Sequence, residues 1–288
     1  MSLKTNNSYD SPNFMASKES YDDSDIIIFG VPMDVTCSFK SGTRFGPQKI
    51  REVSEGLEEY SIYLEKSIDD SGFYDCGNIN VSGGNVKENL SSIALSAKEA
   101  FDDSKFPIIL GGEHLISVPV IKEAHRKYGD DLVVIQFDAH ADLRDGYLGC
   151  TYSHAATIRR LCDFMPSKNI YQFGIRSGTK DEFEFADKNT NMFKFNVFEP
   201  LKNILNQLKG KPVYVTLDID VVDPGHANGT GTPEPCGITS KELLDSVHLL
   251  KDLSLIGFDI VEVSPEYDKS DRTALLAALI IREIILIV

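Results

Sequence analysis

Short runs of apolar and β-branched residues recur along the chain, at 25–32 (DIIIFGVP), 106–112 (FPIILGG), 132–140 (LVVIQFDAH), 169–176 (NIYQFGIR), 212–220 (PVYVTLDID) and 253–263 (LSLIGFDIVEV). Their length and composition predict buried β-strands. Between them, the segments 117–129, 153–164 and 240–252 place apolar residues at helical spacing, the last with Ser240 as N-cap. Near-continuous apolar strands that alternate with helices predict an α/β fold, a parallel sheet covered on both faces. The final stretch, 274–288 (ALLAALIIREIILIV), is interrupted by Arg282 and Glu283 and reads as a buried terminal helix rather than a membrane span. No repeat or linker breaks the pattern after about residue 25, so a single domain is expected over 25–288, preceded by a polar arm over 1–24.

Composition narrows the function. A formal net charge of −15 argues against a nucleic-acid surface and favours a cationic small molecule. Five cysteines without CxxC spacing, and an N-terminus without the apolar core of a signal peptide, predict a reduced cytoplasmic chain.

The ionisable residues fall where the predicted strands end. GGEH (111–114) follows the second run, DAHAD (138–142) closes the third, DID (218–220) closes the fifth and VEVSPEYD (261–268) the sixth. In open parallel sheets, ligands bind at the carboxyl ends of the strands, so one edge would collect these side chains. Asp138, His140 and Asp142 are two residues apart and in extended backbone would share a side; Asp218 and Asp220 repeat the spacing, and Gly111 and Gly112 leave His114 room to approach. Four carboxylates and two imidazoles form a ligand set whose charge two divalent cations cancel; without them several carboxylates would have to protonate. Oxygen-rich ligation with some imidazole suits Mn(II) over Zn(II). Two such ions can share a water and make hydroxide near neutrality, which predicts hydrolysis.

Other residues read more plainly. Asp223 and Asp259 are expected as cap or turn residues, and His125 and His248 as surface or core-edge positions on helices. Cys150 and Cys236 lack the His and Asn partners of a thiol nucleophile. The glycine-rich 229–237 (GTGTPEPCG) lacks the Lys-Ser/Thr of a phosphate loop and reads as a shaped active-site loop.

Taken together, FGVPMDVTCSFKSGTRFGPQKIRE, GGEH, DAHADLRD, SHAATIRR, DIDVVDP, GTGTPEP and VEVSPEYD resemble the ureohydrolase family of arginases and agmatinases from about residue 22 onward, and within it the agmatinases. The resemblance implies a three-layer α/β/α fold with about eight parallel strands and assembly as trimers or hexamers. It implies hydrolysis of agmatine to putrescine and urea by a hydroxide bridging two Mn(II) ions. Metal ligation would fall to His114 on one ion and His140 on the other, with Asp138, Asp142, Asp218 and Asp220 shared between them. Asp142 would also carry a proton to the leaving amine, Glu262 would grip the guanidinium, Thr232 would help to hold it, and His154 would donate or shuttle a proton.

The sequence departs from the arginase pattern in two places. Arg144 and Asp145 stand where arginases place an Asn that recognises the substrate carboxylate, and Ala155 replaces the Gly after the catalytic His. Asp145 and Glu234 are candidates for the ammonium end of agmatine. Other guanidino or formimino substrates (arginine, 4-guanidinobutyrate, formiminoglutamate), or a non-catalytic metal-binding relative, are the alternatives.

Overall fold

The computed structural model describes residues 2–5, 12–18 and 20–288. Its strands are β1 (Ile26–Val31), β2 (Tyr60–Ser61), β3 (Lys66–Ser67), β4 (Phe73–Asn78), β5 (Phe106–Gly111), β6 (Val133–Phe137), β7 (Ile170–Ile175), β8 (Asn191–Lys194), β9 (Pro212–Asp218) and β10 (Ser254–Val261). Helices are α1 (Gly46–Ser54), α2 (Val86–Asp102), α3 (Ser117–Tyr128), α4 (Thr157–Leu161), α5 (Lys180–Asn189), α6 (Phe198–Leu208), α7 (Ser240–Leu249) and α8 (Arg272–Ile287). Eight strands form one parallel sheet in the order β4-β1-β5-β10-β9-β6-β7-β8, while β2 and β3 make a small antiparallel hairpin.

Alternation along the strands explains why the sheet strands read as continuous apolar runs. Ile26, Ile28, Ile108, Leu110, Val213 and Val215 pack with residues of α6, α7 and α8 on one face. Ile27, Phe29, Ile109 and Val134 pack with α2, α3 and α4 on the other. Both faces are therefore buried, and the result is the expected three-layer α/β/α arrangement.

Besides the β2-β3 hairpin, periodicity missed two strands, β4 and β8, and these are the two edges of the eight-stranded sheet. Edge strands have one free side and can be short or polar. β8 has four residues, and β4 (FYDCGN) carries Asp75 within it. Asp75 is tolerated there because the fully buried Arg51 of α1 donates to it from Nε (2.7 Å) and Nη2 (2.8 Å), and to Asn78 Oδ1 and the Gly77 carbonyl. The described part of the polar arm also lies on this edge. Phe14 and Met15 are buried in the core and the Phe14 N–H donates to Asp75, so this stretch packs on its own chain.

The terminal helix is buried as expected, with Arg282 donating to Glu283 and Glu283 also accepting from Ser61 and held against His248 at 2.7 Å. Among the described residues no helix is long and apolar enough to cross a membrane. The N-cap of α7 is Thr239, one residue before the expected Ser240; its hydroxyl accepts from the Glu242 N–H. The 153–164 segment is helical only in part, as a 3-10 turn at His154–Ala156 followed by α4.

Candidate metal centre and active site

The sheet order decides where the ionisable residues meet. β10 and β9 lie between β5 and β6, so the strand ends before His114, Glu262, Asp218 and Asp138 are consecutive neighbours at one edge. Beyond those ends the backbone is not extended. β6 stops at Phe137, Asp142 has φ 53°, and Asp220 sits in a 3-10 turn, Ile219–Val221, after β9. Convergence thus comes from turns rather than from the pleat, which corrects the period-2 expectation. Asp142 and Glu262 (φ 64°) both adopt left-handed backbone, a conformation that costs a residue with a Cβ and persists where the surroundings impose it. The role of Gly112 also differs from expectation: a Cβ there would lie 1.9 Å from the Met33 carbonyl, so the glycine admits the loop after β1.

Two clusters result. His114, Asp138 and Asp218 form one, and Asp138, His140 and Asp220 the other, each with ligand atoms within 4.8 Å of one another. Asp138 belongs to both, and its two oxygens divide between them: Oδ2 is 3.1 Å from His114 Nδ1, whereas Oδ1 is 3.7 Å from His140 Nδ1. Asp142 Oδ2 is also 3.1 Å and Asp218 Oδ2 3.6 Å from His114 Nδ1, and Asp220 Oδ2 is 2.9 Å from His140 Nδ1.

Whether these residues fit a cation can be judged from His114. Its Nδ1 is buried and makes no hydrogen bond among the described residues, although three carboxylate oxygens surround it. Its Nε2 lies 2.9 Å from Thr216 Oγ1, and that hydroxyl donates to Asp259 Oδ1 at 2.6 Å. Thr216 spends its proton on Asp259 and accepts from Nε2–H, which leaves a lone pair on Nδ1, as ligation requires. In the absence of a cation, burial and then neighbouring carboxylate charge push Asp142 up to about 7 and lift Asp218 well above the carboxylate range. A divalent ion would relieve both.

Asp259 is therefore not a cap or turn. It is buried within β10, receives Tyr214 O–H as well as Thr216, and steadies His114. Asp138 has a similar backing: Gln136 Nε2 donates to its Oδ2 (2.6 Å), Gln172 Nε2 to Gln136 Oε1 (2.7 Å), and Thr190 Oγ1 to Gln172 Oε1 (2.9 Å). These supports were not singled out in the sequence. The signal was present: Gln136 and Gln172 are amides inside apolar strands, and a buried amide must be paired.

A cavity of about 240 Å³ opens on the clusters, lined among others by Ser38, His140, Asp142, Arg144, Tyr147, His154, Glu182, Thr232 and Glu262. A larger groove of about 880 Å³ lies at the opposite sheet edge beside Asp25, Gly72 and Phe106, without any candidate ligand. Glu262 Oε1 accepts the His114 N–H at 2.8 Å, and burial raises its carboxyl to about 8. Thr232 Oγ1 is 3.4 Å from Asp220 Oδ2. Arg176 fixes the Thr232 loop, donating to the carbonyls of Asp220, Val221, Glu234 and Pro235. Asp223 accepts from the Gly225 and Gly237 N–H groups, the turn role expected of it.

Asp145 and Glu234 are not brought to the cavity. Asp145 is exposed and pairs with Arg160 at 3.1 Å, and neither residue lines the cavity wall. Arg144 does line it, with its guanidinium carbon 4.8 Å from the Tyr147 ring centroid and Nε 3.6 Å from buried Glu182. Cys150 and Cys236 are exposed and outside the cavity. His125 and His248 pair with Asp130 and Glu283, away from the site.

The family model described as the arginase family matches residues 24–287, nearly the whole chain. This chain belongs to the arginase family. An agmatinase of Bacillus subtilis is 48% identical over 287 residues, 99% of each chain. A guanidinobutyrase of Pseudomonas aeruginosa is 33% identical, covering 91% of this chain and 85% of its own. Among solved structures, the agmatine ureohydrolase of Thermoplasma volcanium superposes with a TM-score of 0.87 at 31% identity, covering 96% of this chain and 93% of that one. Membership of the arginase family makes the chain a ureohydrolase enzyme, and the family's dependence on a binuclear metal centre matches the two clusters that share Asp138.

Proposed function

We propose that this ureohydrolase cleaves agmatine to putrescine and urea with two Mn(II) ions as its cofactors, as a cytoplasmic homo-oligomer, trimer or hexamer, built on one catalytic domain (25–288) and an N-terminal arm (1–24). The observation that carries the metal reading is Asp138, whose two oxygens face two different imidazoles. Identity of 47–48% over 99% of the chain to proteins named agmatinase supports the substrate. His114, Asp138, Asp142 and Asp218 would hold one ion, and His140, Asp138, Asp218 and Asp220 the other. When bound, the ions supply a water acidic enough to act as nucleophile near neutrality and cancel the carboxylate charge.

The chain's own residues do the rest. Glu262 keeps one oxygen on the His114 N–H, and among the described residues nothing hydrogen-bonds the other, which can take a guanidinium hydrogen bond. Held in this way, the central carbon of the guanidinium faces the clusters. Thr232, tied beside Asp220, closes the guanidinium end of the cavity. Asp142 would take up the proton that the water loses and pass it towards the leaving amine nitrogen. His154, whose imidazole burial holds down to about 4, enters neutral pH as the free base and exchanges protons between solvent and the leaving amine.

The test is urea release by Mn-loaded protein with agmatine, arginine and 4-guanidinobutyrate offered separately. Equimolar urea and putrescine from agmatine alone is expected. Urea from either carboxylated substrate instead would overturn the substrate assignment, and no urea from any of the three would point to formimino compounds or to a non-catalytic relative.

A second reading, a carboxylated guanidino substrate, is favoured by one feature: Arg144 in the cavity wall. For agmatine, the Arg144→Ala variant should change kcat/KM by less than about threefold. A substrate whose carboxylate pairs with Arg144 would lose roughly 10- to 150-fold, the worth of a charge-assisted hydrogen bond. Steady-state kinetics on both substrates separates the cases.

A further inference from the structure

Glu113 is wholly buried between the metal ligand His114 and Gly112, yet its carboxylate belongs to neither cluster. Its Oε2 receives the Thr36 N–H at 2.8 Å and the Thr36 hydroxyl at 2.7 Å, with the Cys37 thiol 3.8 Å away. Oε1 has no hydrogen-bond partner among the described residues, so the loop after β1 is the carboxylate's main engagement. Thr36 in turn touches His154 twice: its Oγ1 accepts the His154 N–H at 3.0 Å and lies 3.4 Å from the ring Nδ1.

Counting protons fixes the direction of this chain. A threonine hydroxyl has one proton and two lone pairs. The proton goes to Glu113 and one lone pair to the His154 N–H, so only a lone pair remains to face Nδ1. That lone pair can accept only from a protonated Nδ1, so the Thr36 contact is a hydrogen bond in the Nδ1–H tautomer of the neutral imidazole. Ser153 Oγ, also 3.4 Å from Nδ1, can accept from the same proton. In that tautomer the basic nitrogen is Nε2, which lies 3.3 Å from Ser38 Oγ, a residue of the cavity wall.

We propose that Glu113, acting through Thr36, is a positioning residue that holds His154 in the tautomer and orientation whose Nε2 exchanges protons with the reaction. The inference rests on the proton-transfer role of His154 given under the proposed function. In that role Nε2 takes a proton from solvent and gives it to the leaving amine nitrogen, while Nδ1–H stays on Thr36 throughout. The same three-residue segment then serves two purposes: His114 offers its ring to the metal cluster and its N–H to Glu262, while Glu113 organises the proton carrier on the other side.

The experiment is a double-mutant cycle on turnover of agmatine by the Mn-loaded enzyme. Thr36→Val and Glu113→Met, which remove the hydroxyl and the acceptor with little change of volume, should each lower kcat about tenfold, a part of the 10²–10⁴ that positioned proton transfer supplies. KM and bound Mn should stay as in the parent. Thr36→Ser and Glu113→Gln, which keep a hydroxyl and an accepting oxygen, should retain most of the activity. In a His154→Ala background, Thr36→Val should cost nothing more, because its effect passes through the missing ring. A loss that adds fully to that of His154→Ala, or full kcat in Thr36→Val while His154→Ala is impaired, overturns the relay and leaves the role of His154 standing. Full activity in His154→Ala overturns that role and the relay with it. Thr36→Val carries the test alone should Glu113→Met fail to fold.

Discussion

Asp138→Asn is expected to lose at least about a hundredfold in turnover, at or beyond the 10–100-fold that loss of an outer-shell partner costs a metal site, and to bind fewer Mn(II) ions per chain than the parent. The reason is its double membership. Among the described residues Asp138 is the one common to both three-residue clusters, presenting Oδ2 to the His114 group and Oδ1 to the His140 group. An amide keeps the shape but turns one oxygen into a donor and removes the charge that helps to balance two divalent ions. Its Nδ2 would also meet a hydrogen already in place, from Gln136 Nε2 on one side or the His140 N–H on the other. Metal content by elemental analysis and urea release are measured on the same preparation. Two bound ions with full activity would sink the shared-carboxylate reading.

The largest effect on stability is expected at a position remote from the chemistry. Arg51→Met should destabilise the fold by about 3–5 kcal/mol, the cost of leaving one member of a buried ion pair alone. Arg51 and Asp75 side chains have no exposed surface, and Arg51 also reaches Asn78 and the Gly77 carbonyl, so one guanidinium holds edge strand β4 onto α1. At roughly 2–4 °C per kcal/mol for large domains, the melting temperature should fall by about 10 °C. The chain has no tryptophan, so far-UV circular dichroism is the natural readout. The double variant Arg51→Met/Asp75→Leu should recover much of the loss because no charge is then stranded. A drop under about 2 °C for Arg51→Met would show that solvent or another group satisfies Asp75.

Both predictions depend on side chains that sequence patterning treats differently. Asp138 stands out in DAHAD, directly behind an apolar strand. Arg51 looks like any helical arginine in QKIRE, and only the packing of α1 against β4 shows that it has no water around it. The same contrast separates Gln136, which is visible as an odd polar residue in VVIQF, from Asp145, which looks well placed for an ammonium but turns outward to Arg160.

What the sequence alone determined is local in origin. Six interior or near-interior strands, the helices between them and the buried α8 follow from runs and periods of apolar residues, because burial on two faces or on one leaves that mark in any short window. The sequence also nominated six candidate ligands, since DAHAD, DID and GGEH place ionisable groups where strands end. What tertiary structure decided is everything that depends on which strands become neighbours. β9 and β10, late in the chain, enter between β5 and β6, and only that order brings His114, Asp138, Asp218 and Glu262 together. The edge strands escaped notice because an edge needs no apolar alternation. The turn at Asp142, the backing of His114 by Thr216 and Asp259, and the line from Glu113 through Thr36 to His154 join residues 43 to 118 positions apart or depend on one backbone angle, and no local pattern encodes a contact whose partner lies so far along the chain.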